Sequence, residues 1–245
     1  MIMHKAYVGQ KIIHLECVDS TNNYTANVFK SGAIDSGTVI LTDIQTNGRG
    51  QREKAWQSDA FSNLLVSVAA DLNLWKINNI ISLNHIVALA LREFLSKHAS
   101  DVKIKWPNDI MIKGRKVAGI LIETQMTSVQ RKSVIGFGAN INQTSFEAPR
   151  ATSLFLESSK SYQPKALLFE AIDALNYFID LYHEHGELYL FEQYNEHLWK
   201  REEQHLFHFN EQEKAGKIVS STMEGQLVID FEEEVKNFSN GEVIY

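Results

Sequence analysis

Short runs of Val, Ile, Leu and Ala recur along the first 140 residues of the chain, and polar or glycine-containing segments separate them. Apolar runs of this length, bounded by turn-forming residues, are typical of strands in the interior of a sheet. They predict strands at residues 11–17, 38–42, 62–70, 102–105, 117–124 and 133–138.

Longer segments place their apolar residues at helical spacing instead. The capping residue types Asp19-Ser20-Thr21-Asn22 predict a first helix that runs to about Lys30 and stops at Gly32, and the second helix has Ser82 available as its cap. A third helix starts at Pro164, a residue type favoured in the first helical turn, and a fourth ends near Trp199. Strands and helices in this combination indicate an α+β domain.

The pattern changes after Arg201, where short strands and turns replace the helices. Strands are predicted at residues 206–209, 217–220, 226–230 and 242–245. A segment of this size indicates a compact β-barrel that depends on the larger part for stability. We therefore expect a domain at 1–200, built on a central mixed sheet flanked by helices, and a small barrel domain at 201–245.

Composition narrows the function classes. The 245-residue chain has a formal net charge of −6 at pH 7, which argues against a nucleic-acid-binding surface because phosphate binding requires a basic face. Cys17 is the single cysteine, so an intrachain disulfide and a cysteine-rich metal site are excluded, and a reducing cytoplasmic compartment fits. No segment approaches the run of about 20 apolar residues that a membrane-spanning helix requires.

A glycine-spaced basic loop follows the strand at 38–42. Glycines on both sides of Arg49 let the backbone approach a ligand closely, and the guanidinium can bind a carboxylate or phosphate through two hydrogen bonds. The alternative is a hairpin turn with a solvent-facing arginine. Lys116, which enters the strand at 117–124, could neutralise oxyanions at the edge of a site, or it is an ordinary lysine at a strand start.

Further candidate residues lie around the Trp-Pro-Asn-Asp turn at 106–109 and beyond the basic loop. Asp109 could bind Mg²⁺ on phosphates or orient an amine, although such residues also form Asx turns. Trp56 could cover an adenine ring or could simply pack. Asn140 follows a strand with two glycines, which again allows close approach of a ligand. The chain contains no P-loop sequence and no nucleophile elbow.

Taken together, these segments resemble the biotin protein ligase family, in its form without a DNA-binding domain. The resemblance runs in order through most of the first 200 residues. Its motifs lie at 18–22, 45, 48–50, 56, 105–109, 115–123 and 136–140, and the tail at 238–243 resembles the end of the family's C-terminal barrel. The resemblance implies a catalytic domain like that of class II aminoacyl-tRNA synthetases and biotin ligases, followed by an SH3-like barrel.

The resemblance also implies an ATP-dependent ligase that forms a C–N bond in two steps. The carboxylate of biotin attacks the α-phosphorus of ATP and gives biotinoyl-5′-AMP and pyrophosphate, with Mg²⁺ on the phosphates. A specific lysine of a biotin carboxyl carrier protein domain, from a biotin-dependent carboxylase, then attacks the mixed anhydride and displaces AMP. No nucleic-acid or membrane partner is expected.

The resemblance implies a role for each residue of this chain that matches a motif of the family. Arg49, Lys116 and Asp109 are the expected catalytic residues, and Asp109 would position Mg²⁺ or the acceptor amine. The expected biotin-binding residues are Ser20, Thr21, Asn22, Gln45, Arg49, Gly50, Gln51, Lys116 and Gly119. The expected nucleotide-binding residues are Arg49, Arg52, Trp56, Lys116 and Asn140.

The chain departs from the family pattern in its basic loop. Family members often carry Arg at the position of Gln51 and Gly at that of Glu53, so the loop is less cationic here. We expect retention of the anionic intermediate to rest more on Arg49, Arg52 and ordering of the loop, whose charges have no evident partner before a ligand binds. The chain also starts directly at the catalytic domain, so DNA binding and self-regulation are not expected.

Three alternative functions stay open. A lipoate or octanoate ligase shares the fold and the adenylation chemistry, although the polar residues at 20–22 with Gln45 suit a ureido ring better than an alkyl chain. A non-catalytic biotin-binding module would lose Arg49 or Lys116, and both are present. A nucleotide-binding regulator would bind ATP without biotin. The sequence also leaves open the carrier protein and the oligomeric state, a homodimer included.

Overall fold

The structure, a computed structural model, describes residues 7–126, 131–148 and 150–245. Its larger sheet has seven strands: β1 (Ile12–Val18), β2 (Val39–Gln45), β3 (Leu64–Asp71), β4 (Val102–Lys105), β5 (Asp109–Ile112), β6 (Arg115–Met126) and β7 (Arg131–Ala139). The strand order is β1-β2-β3-β7-β6-β5-β4. Only β1 and β2 run parallel, and the other neighbouring pairs are antiparallel, so the predicted mixed sheet is confirmed.

The α-helices in the described part of the chain lie between these strands or after them. They are α1 (Thr21–Lys30), α2 (Ile80–Ser96), α3 (Leu154–Ser158) and α4 (Pro164–Glu196). Gly186, with φ of 82°, interrupts α4, so the two helices predicted after Pro164 are two parts of one element. Among the described residues, no helix has both the length and the apolar character needed to cross a membrane.

The start of α2 differs from the prediction. Asn79, and not Ser82, is the N-cap residue, and the Asn79 side chain accepts a hydrogen bond from the Ser82 backbone N–H at 2.8 Å. The prediction of Ser82 as the cap is therefore wrong by one helical turn. Both residue types cap helices well, and the earlier of the two takes the position.

Helices cover both faces of the central strand β3, whose residues alternate between the two layers. Leu64, Val66 and Val68 belong to the large core formed with α2 and α4. Ala69 packs on the other face with Phe29 of α1. Because both faces are covered, almost the whole strand is buried, which explains its unbroken apolar sequence.

A second sheet follows α4 and is antiparallel throughout. Its strands, in the order β11-β10-β9-β8, are β8 (Gln204–Phe209), β9 (Gln212–Ser221), β10 (Leu227–Asp230) and β11 (Val235–Phe238). The prediction of a strand at 242–245 is wrong, since Ile244 makes only an isolated bridge with His208. A second sheet in this place agrees with the predicted C-terminal barrel, whereas the domain boundary at residue 200 stays a prediction.

Hydrogen bonds join the smaller sheet to α4 and to the turn that precedes β5. The buried Asn195 side chain of α4 accepts hydrogen bonds from the Ser221 backbone N–H at 2.6 Å and from its hydroxyl at 3.0 Å. The Trp106 indole of the turn donates to the Gly225 carbonyl at 3.1 Å. The smaller sheet therefore lies against the turn that carries Asp109.

We predict that the stability of the protein falls as the pH drops from 7 to 5, and that His85 is one cause, beside His197, whose pKa burial also lowers to about 4. His85 is buried in α2 with its ring 4.3 Å from that of Tyr194, and burial lowers the pKa of His85 to about 4. The unfolded chain, with a histidine pKa of about 6.5, takes up the proton first, so this group reduces the free energy of unfolding by about 2 kcal/mol over that range. Urea unfolding at both pH values measures the change.

The variant His85→Gln lacks the titrating group and provides the comparison. Its free energy of unfolding should depend less on pH than that of the wild type over the same range. An equal loss of stability in both proteins would contradict the role of His85.

Candidate active site

One cleft opens between the start of α1, the glycine-spaced loop at 48–52 and strands β6 and β7. Its empty space, including space open to solvent, is about 450 Å³. Its lining contains every residue of the biotin-binding set expected from the sequence. Trp56 and Asn108 also line it.

A buried hydrogen-bond network fixes one end of this cleft. The Gln45 side-chain carbonyl accepts hydrogen bonds from the Thr21 backbone N–H at 2.8 Å and from the Thr21 hydroxyl at 3.1 Å. The Ser67 hydroxyl of β3 lies 2.8 Å from Thr21 Oγ1 and 2.6 Å from Asn22 Oδ1. Ser20 is the buried N-cap residue of α1, but its side chain makes no capping bond. Polar groups at this end are thus fixed away from bulk water, where hydrogen bonds are strong.

Two glycines of β7 allow side chains from other elements to lie directly on the strand. A Cβ atom at Gly136 would overlap the Asn22 carboxamide, and one at Gly138 would overlap the Trp56 indole. Only glycine permits this approach, because both neighbours belong to separate elements that would have to move. The glycine pair therefore sets the positions of Asn22 and Trp56 in the cleft.

Arg49 of the glycine-spaced loop is held by polar side chains. Its Nη2 atom lies 2.5 Å from Glu123 Oε1, and its Nη1 atom lies 2.5 Å from Asn23 Oδ1. The other Glu123 oxygen accepts a hydrogen bond from the Asn22 side-chain amide at 2.9 Å. The expectation that the charges of this loop lack partners before a ligand binds is therefore wrong for Arg49.

Glu123 is a candidate functional residue that the sequence analysis did not single out. It follows the apolar residues Ile120-Leu121-Ile122 near the middle of β6. An acidic side chain directly after an apolar run of a buried strand is the signal that could have identified it, because a carboxylate in that place needs a partner.

Lys116 and Trp56 meet in another part of the lining. The Lys116 Nζ atom forms an ion pair with Asp109 Oδ1 at 2.6 Å and lies 5.5 Å from the centre of the Trp56 ring. A Cβ atom at Gly119 would lie 3.1 Å from Trp56 and 3.2 Å from the Lys116 ammonium. Because Gly119 has no side chain, space remains between the Lys116 ammonium and β6.

Three of the expected site residues, Asp109, Asn140 and Arg52, lie outside the lining of the cleft. Asp109 contacts the lining residue Lys116 through the ion pair. Asn140 is buried, and its side-chain amide donates to the Thr152 carbonyl at 3.0 Å. Its carboxamide oxygen has no hydrogen-bond partner among the described residues. The roles expected for Asp109 and Asn140 stay predictions.

The basic loop also reaches the C-terminal part of the chain. Arg52 lies outside the lining and donates a hydrogen bond to the Asn240 carbonyl, and the Asn240 side-chain amide donates to Gln51 Oε1 at 2.8 Å. The side chain of Glu53 is outside the part that the structure describes. Arg52 thus links the loop to the segment after β11, and its role toward a nucleotide stays a prediction.

The arrangement suits a ligand that carries or develops negative charge. Arg49 and Lys116 supply two cations, each beside a carboxylate, and the buried network supplies donors and acceptors. Preorganised positive charge of this kind stabilises charge that develops during a reaction. Within the described ranges, no group of three or more His, Cys, Asp or Glu side chains could hold a metal ion.

A profile of the Biotin/lipoate A/B protein ligase family matches residues 14–140, which is more than half of the chain. These residues include nearly all of the seven-stranded sheet and the cleft residues described above. The chain belongs to this family.

Curated relatives match slightly more than half of the chain. The bifunctional ligase/repressor BirA of Escherichia coli (strain K12) is 34% identical over 139 residues, which cover 54% of this chain and 41% of that protein. The biotin--[acetyl-CoA-carboxylase] ligase of Mycobacterium tuberculosis is 30% identical over 148 residues, which cover 57% of this chain and 54% of that protein. The chain thus spans about half of the length of these relatives.

Solved structures share the fold over almost the whole chain. A biotin protein ligase from Aquifex aeolicus, in complex with biotin and ATP, superposes with a TM-score of 0.79 at 24% identity and covers 96% of this chain and 98% of that one. A biotin protein ligase from Leishmania major, in complex with biotinyl-5-AMP, gives a TM-score of 0.68 at 23% identity and covers 94% and 99%. At these identities the likeness establishes the fold, including the smaller sheet.

We predict that Glu123→Gln loosens the loop at 48–52. The amide can still accept a hydrogen bond from Asn22, but it lacks the charge that holds the Arg49 guanidinium. The Arg49 and Glu123 side chains are 40% and 37% exposed, and such exposed ion pairs contribute about 0.2–1 kcal/mol. Trypsin should therefore cleave after Arg49 or Arg52 roughly 2 to 5 times faster, as timed digests analysed by mass spectrometry will show.

Glu147→Gln is the matched control. Its carboxylate accepts a hydrogen bond from Gln57, outside the loop, at 2.7 Å. Equal cleavage rates in the two variants would rule out Glu123 as the residue that holds the loop.

Proposed function

We propose that the protein is a biotin protein ligase, which activates biotin with ATP and transfers it to a lysine of a carrier domain. One observation carries this proposal: a buried polar network and two cations, Arg49 and Lys116, meet in a single cleft. The names of the relatives support the same chemistry, and the related Aquifex aeolicus enzyme was solved with biotin and ATP.

The buried network is suited to the ureido ring of biotin. A ureido group has two N–H donors and one carbonyl acceptor, and the Thr21 hydroxyl, the Gln45 carboxamide and the Ser20 hydroxyl can pair with them. An alkyl chain would offer these groups no hydrogen bond, whereas a ureido ring can add hydrogen bonds to those that they make with each other. We therefore assign the ring to this end and the carboxylate to the end near Arg49 and Lys116.

In the first step, the biotin carboxylate attacks the α-phosphorus of ATP, and the bond to the departing pyrophosphate breaks. Both reactants are anions, so positive charge that stabilises the transition state should dominate catalysis. We assign this role to Arg49 and Lys116. Asp109 orients the Lys116 ammonium through the 2.6 Å ion pair, and Arg49 exchanges its contact with Glu123 for oxygens of the reacting groups.

Magnesium enters this scheme as part of the MgATP substrate. The only protein carboxylate expected to position it, Asp109, is bound to Lys116, and the described residues form no metal-binding cluster. Mg²⁺ at phosphate sites commonly keeps waters and substrate oxygens as ligands and needs few protein ligands. We therefore propose that the protein binds the phosphates and that the ion arrives with them.

We place the nucleotide beside Trp56. The Trp56 indole lies on bare backbone at Gly138, and its Nε1 atom is buried without a hydrogen-bond partner among the described residues, as is Asn140 Oδ1. Buried polar atoms without a partner are rare, so ligand atoms that pair with them would bind favourably. This supports a role for both residues at the nucleotide end of the cleft.

In the second step, the lysine amine of the carrier domain attacks the carbonyl carbon of the mixed anhydride. The C–O bond to the phosphate breaks, AMP leaves with the bonding electrons, and the amine proton passes to solvent. Asp109, which lies against Lys116, is the carboxylate that we assign to orient the incoming amine. The acceptor that fits this scheme is a biotin carboxyl carrier protein domain of a biotin-dependent carboxylase.

A lipoate-type ligase is the second candidate, because the matched family also covers lipoate ligases. Its adenylation chemistry would use the same two cations. The buried network of Thr21, Gln45 and Ser67 favours biotin, since lipoate has no polar ring to pair with it.

We predict that pyrophosphate release from MgATP requires biotin and collapses in Lys116→Ala. Removing one preorganised charge from a transition state costs roughly 2.7–4 kcal/mol, so the rate should fall about 100- to 1,000-fold. A coupled pyrophosphate assay with biotin, and in parallel with lipoate, measures both effects. Lys97→Ala, at an exposed position that ends α2, should keep the wild-type rate.

The other outcomes are equally informative. Release that depends on lipoate would change the substrate but keep the mechanism. Release with neither compound, together with tight binding of biotin, would favour a biotin-binding module over an enzyme.

We also predict that Gln51→Arg slows the release of biotinoyl-AMP. Gln51 lines the cleft, and an arginine there would add one partly exposed charge near the anionic intermediate, which should slow release about 3- to 10-fold. The off-rate is measured by chasing bound labelled intermediate with unlabelled biotinoyl-AMP. Gln51→Met, which also loses the contact with Asn240 but gains no charge, is the control, and an unchanged off-rate in Gln51→Arg would exclude the effect.

A further inference from the structure

Basic side chains gather around two stacked aromatic rings where the two sheets meet. The Trp199 and Tyr245 rings stack with centroids 5.9 Å apart. Lys105 Nζ lies 5.4 Å from the Trp199 ring and 4.9 Å from the Tyr245 ring, and Lys200 Nζ lies 4.8 Å from the Trp199 ring. His205 adjoins this group, with its Nδ1 atom 2.8 Å from Lys200 Nζ. The Lys105 and Lys200 ammonium groups therefore both lie close to the Trp199 ring.

More cations than carboxylates act on Lys105. Burial is the main cause that lowers the pKa of Lys105, and Asp109 opposes it. Arg150, Lys116 and Lys200 each lower the pKa of Lys105 further. The cations that act on Lys105 therefore outnumber the carboxylates, while the Lys105 ammonium itself donates a hydrogen bond to the Tyr245 main-chain oxygen at 3.0 Å.

Burial is again the main cause that lowers the pKa of Lys200 and that of His205. His205 shows the same imbalance, because Lys200, Arg150 and Lys105 lower its pKa and Glu203 raises it. One cation, Arg150, and one carboxylate, Glu203, act in opposite directions on the pKa of Lys200. The chain as a whole has a net charge of −6, so this positive region runs against the overall charge.

The positive region adjoins Lys116 from two sides. Lys105 pairs with Asp109 across β4 and β5, and Asp109 binds the Lys116 ammonium. The Arg150 carbonyl accepts a hydrogen bond from the Lys116 backbone N–H at 2.7 Å, while Arg150 itself is exposed. Positive charge therefore borders the cleft where the transfer step was assigned.

We propose that Lys105, Arg150 and Lys200 form a basic face that docks an acidic surface of the carrier domain beside its acceptor lysine. This inference rests on the proposed function, because only the transfer step brings a protein to Lys116. The carrier has to present its lysine at the cleft, so surfaces that border the cleft must contact it.

A protein partner accounts for this face better than the phosphates of ATP do. The lining of the cleft contains none of its three residues and already has the cations Arg49 and Lys116. The face also extends from β4 of the larger sheet to the start of the smaller sheet, where Lys200 contacts His205 of β8. Charges that border a binding site in this way speed the association of complementary partners and disfavour others.

Three reactions of the same enzyme separate docking from chemistry. They are biotin-dependent release of pyrophosphate, transfer of biotin to hydroxylamine, and transfer to the carboxyl carrier domain of an acetyl-CoA carboxylase. Lys200→Glu and Arg150→Glu should each lower kcat/KM for the carrier domain about 5- to 20-fold and leave the two other reactions unchanged. Added salt should slow the wild-type reaction with the carrier and reduce the difference between the enzymes.

Two controls test charge and position. Lys97→Glu makes the same charge change at the end of α2 and should leave all three reactions unchanged, and Lys200→Arg should keep the wild-type kcat/KM. A carrier domain in which an acidic residue beside the acceptor lysine is replaced by lysine should react faster with Lys200→Glu than with the wild type.

The outcomes distinguish this inference from the proposed function. Equal carrier kinetics in Lys200→Glu, Arg150→Glu and Lys97→Glu would overturn the docking face, as would a raised KM for MgATP with normal carrier kinetics, which would assign the face to phosphates. Absence of biotin-dependent pyrophosphate release in the wild type would instead overturn the proposed function. Arg150 is exposed, so its variant carries the test if Lys200→Glu does not fold.

Discussion

The arrangement of the cleft depends on a single carboxylate, that of Glu123. One of its oxygens binds the Arg49 guanidinium, and the other binds the side-chain amide of Asn22. Asn22 in turn contacts Ser67, and Ser67 contacts Thr21, so the ion pair and the buried network form one connected set. A ligand that binds Arg49 therefore replaces one anion by another, and its affinity reflects the difference between the two interactions.

Secondary structure could be predicted where a local pattern is long or bounded by strong turn signals. β3 is covered on both faces, which gives it an unbroken apolar run, and β4 was predicted with its observed bounds. β5 has four residues directly after a proline turn, and α3 has five, so neither shows a period. At 242–245, apolar residues alone favoured a strand, but pairing depends on partners elsewhere, and Ile244 forms only an isolated bridge with His208 of β8, at the sheet edge opposite β11.

The part of the candidate site that could be predicted consists of residues in short segments that contain glycines. Arg49 and Lys116 were singled out in this way, and the structure brings both into one cleft. Glu123 and Ser67 were not, because their importance comes from partners far along the chain. Glu123 is 74 residues from Arg49, and Ser67 is 46 residues from Thr21. A local signal can mark Glu123 as a carboxylate in need of a partner, but it does not identify Arg49 as that partner, since the pair exists only after the strands have assembled.

The contact between the basic loop and Asn240 has a consequence for motion. Asn240 holds Gln51 through its side chain and Arg52 through its backbone carbonyl, so the loop cannot leave the cleft without breaking two hydrogen bonds to the segment after β11. Opening of the loop and loosening of that C-terminal segment are therefore the same fluctuation. A molecule held under the loop would therefore leave the cleft at a rate that depends partly on a residue almost 190 positions away in sequence.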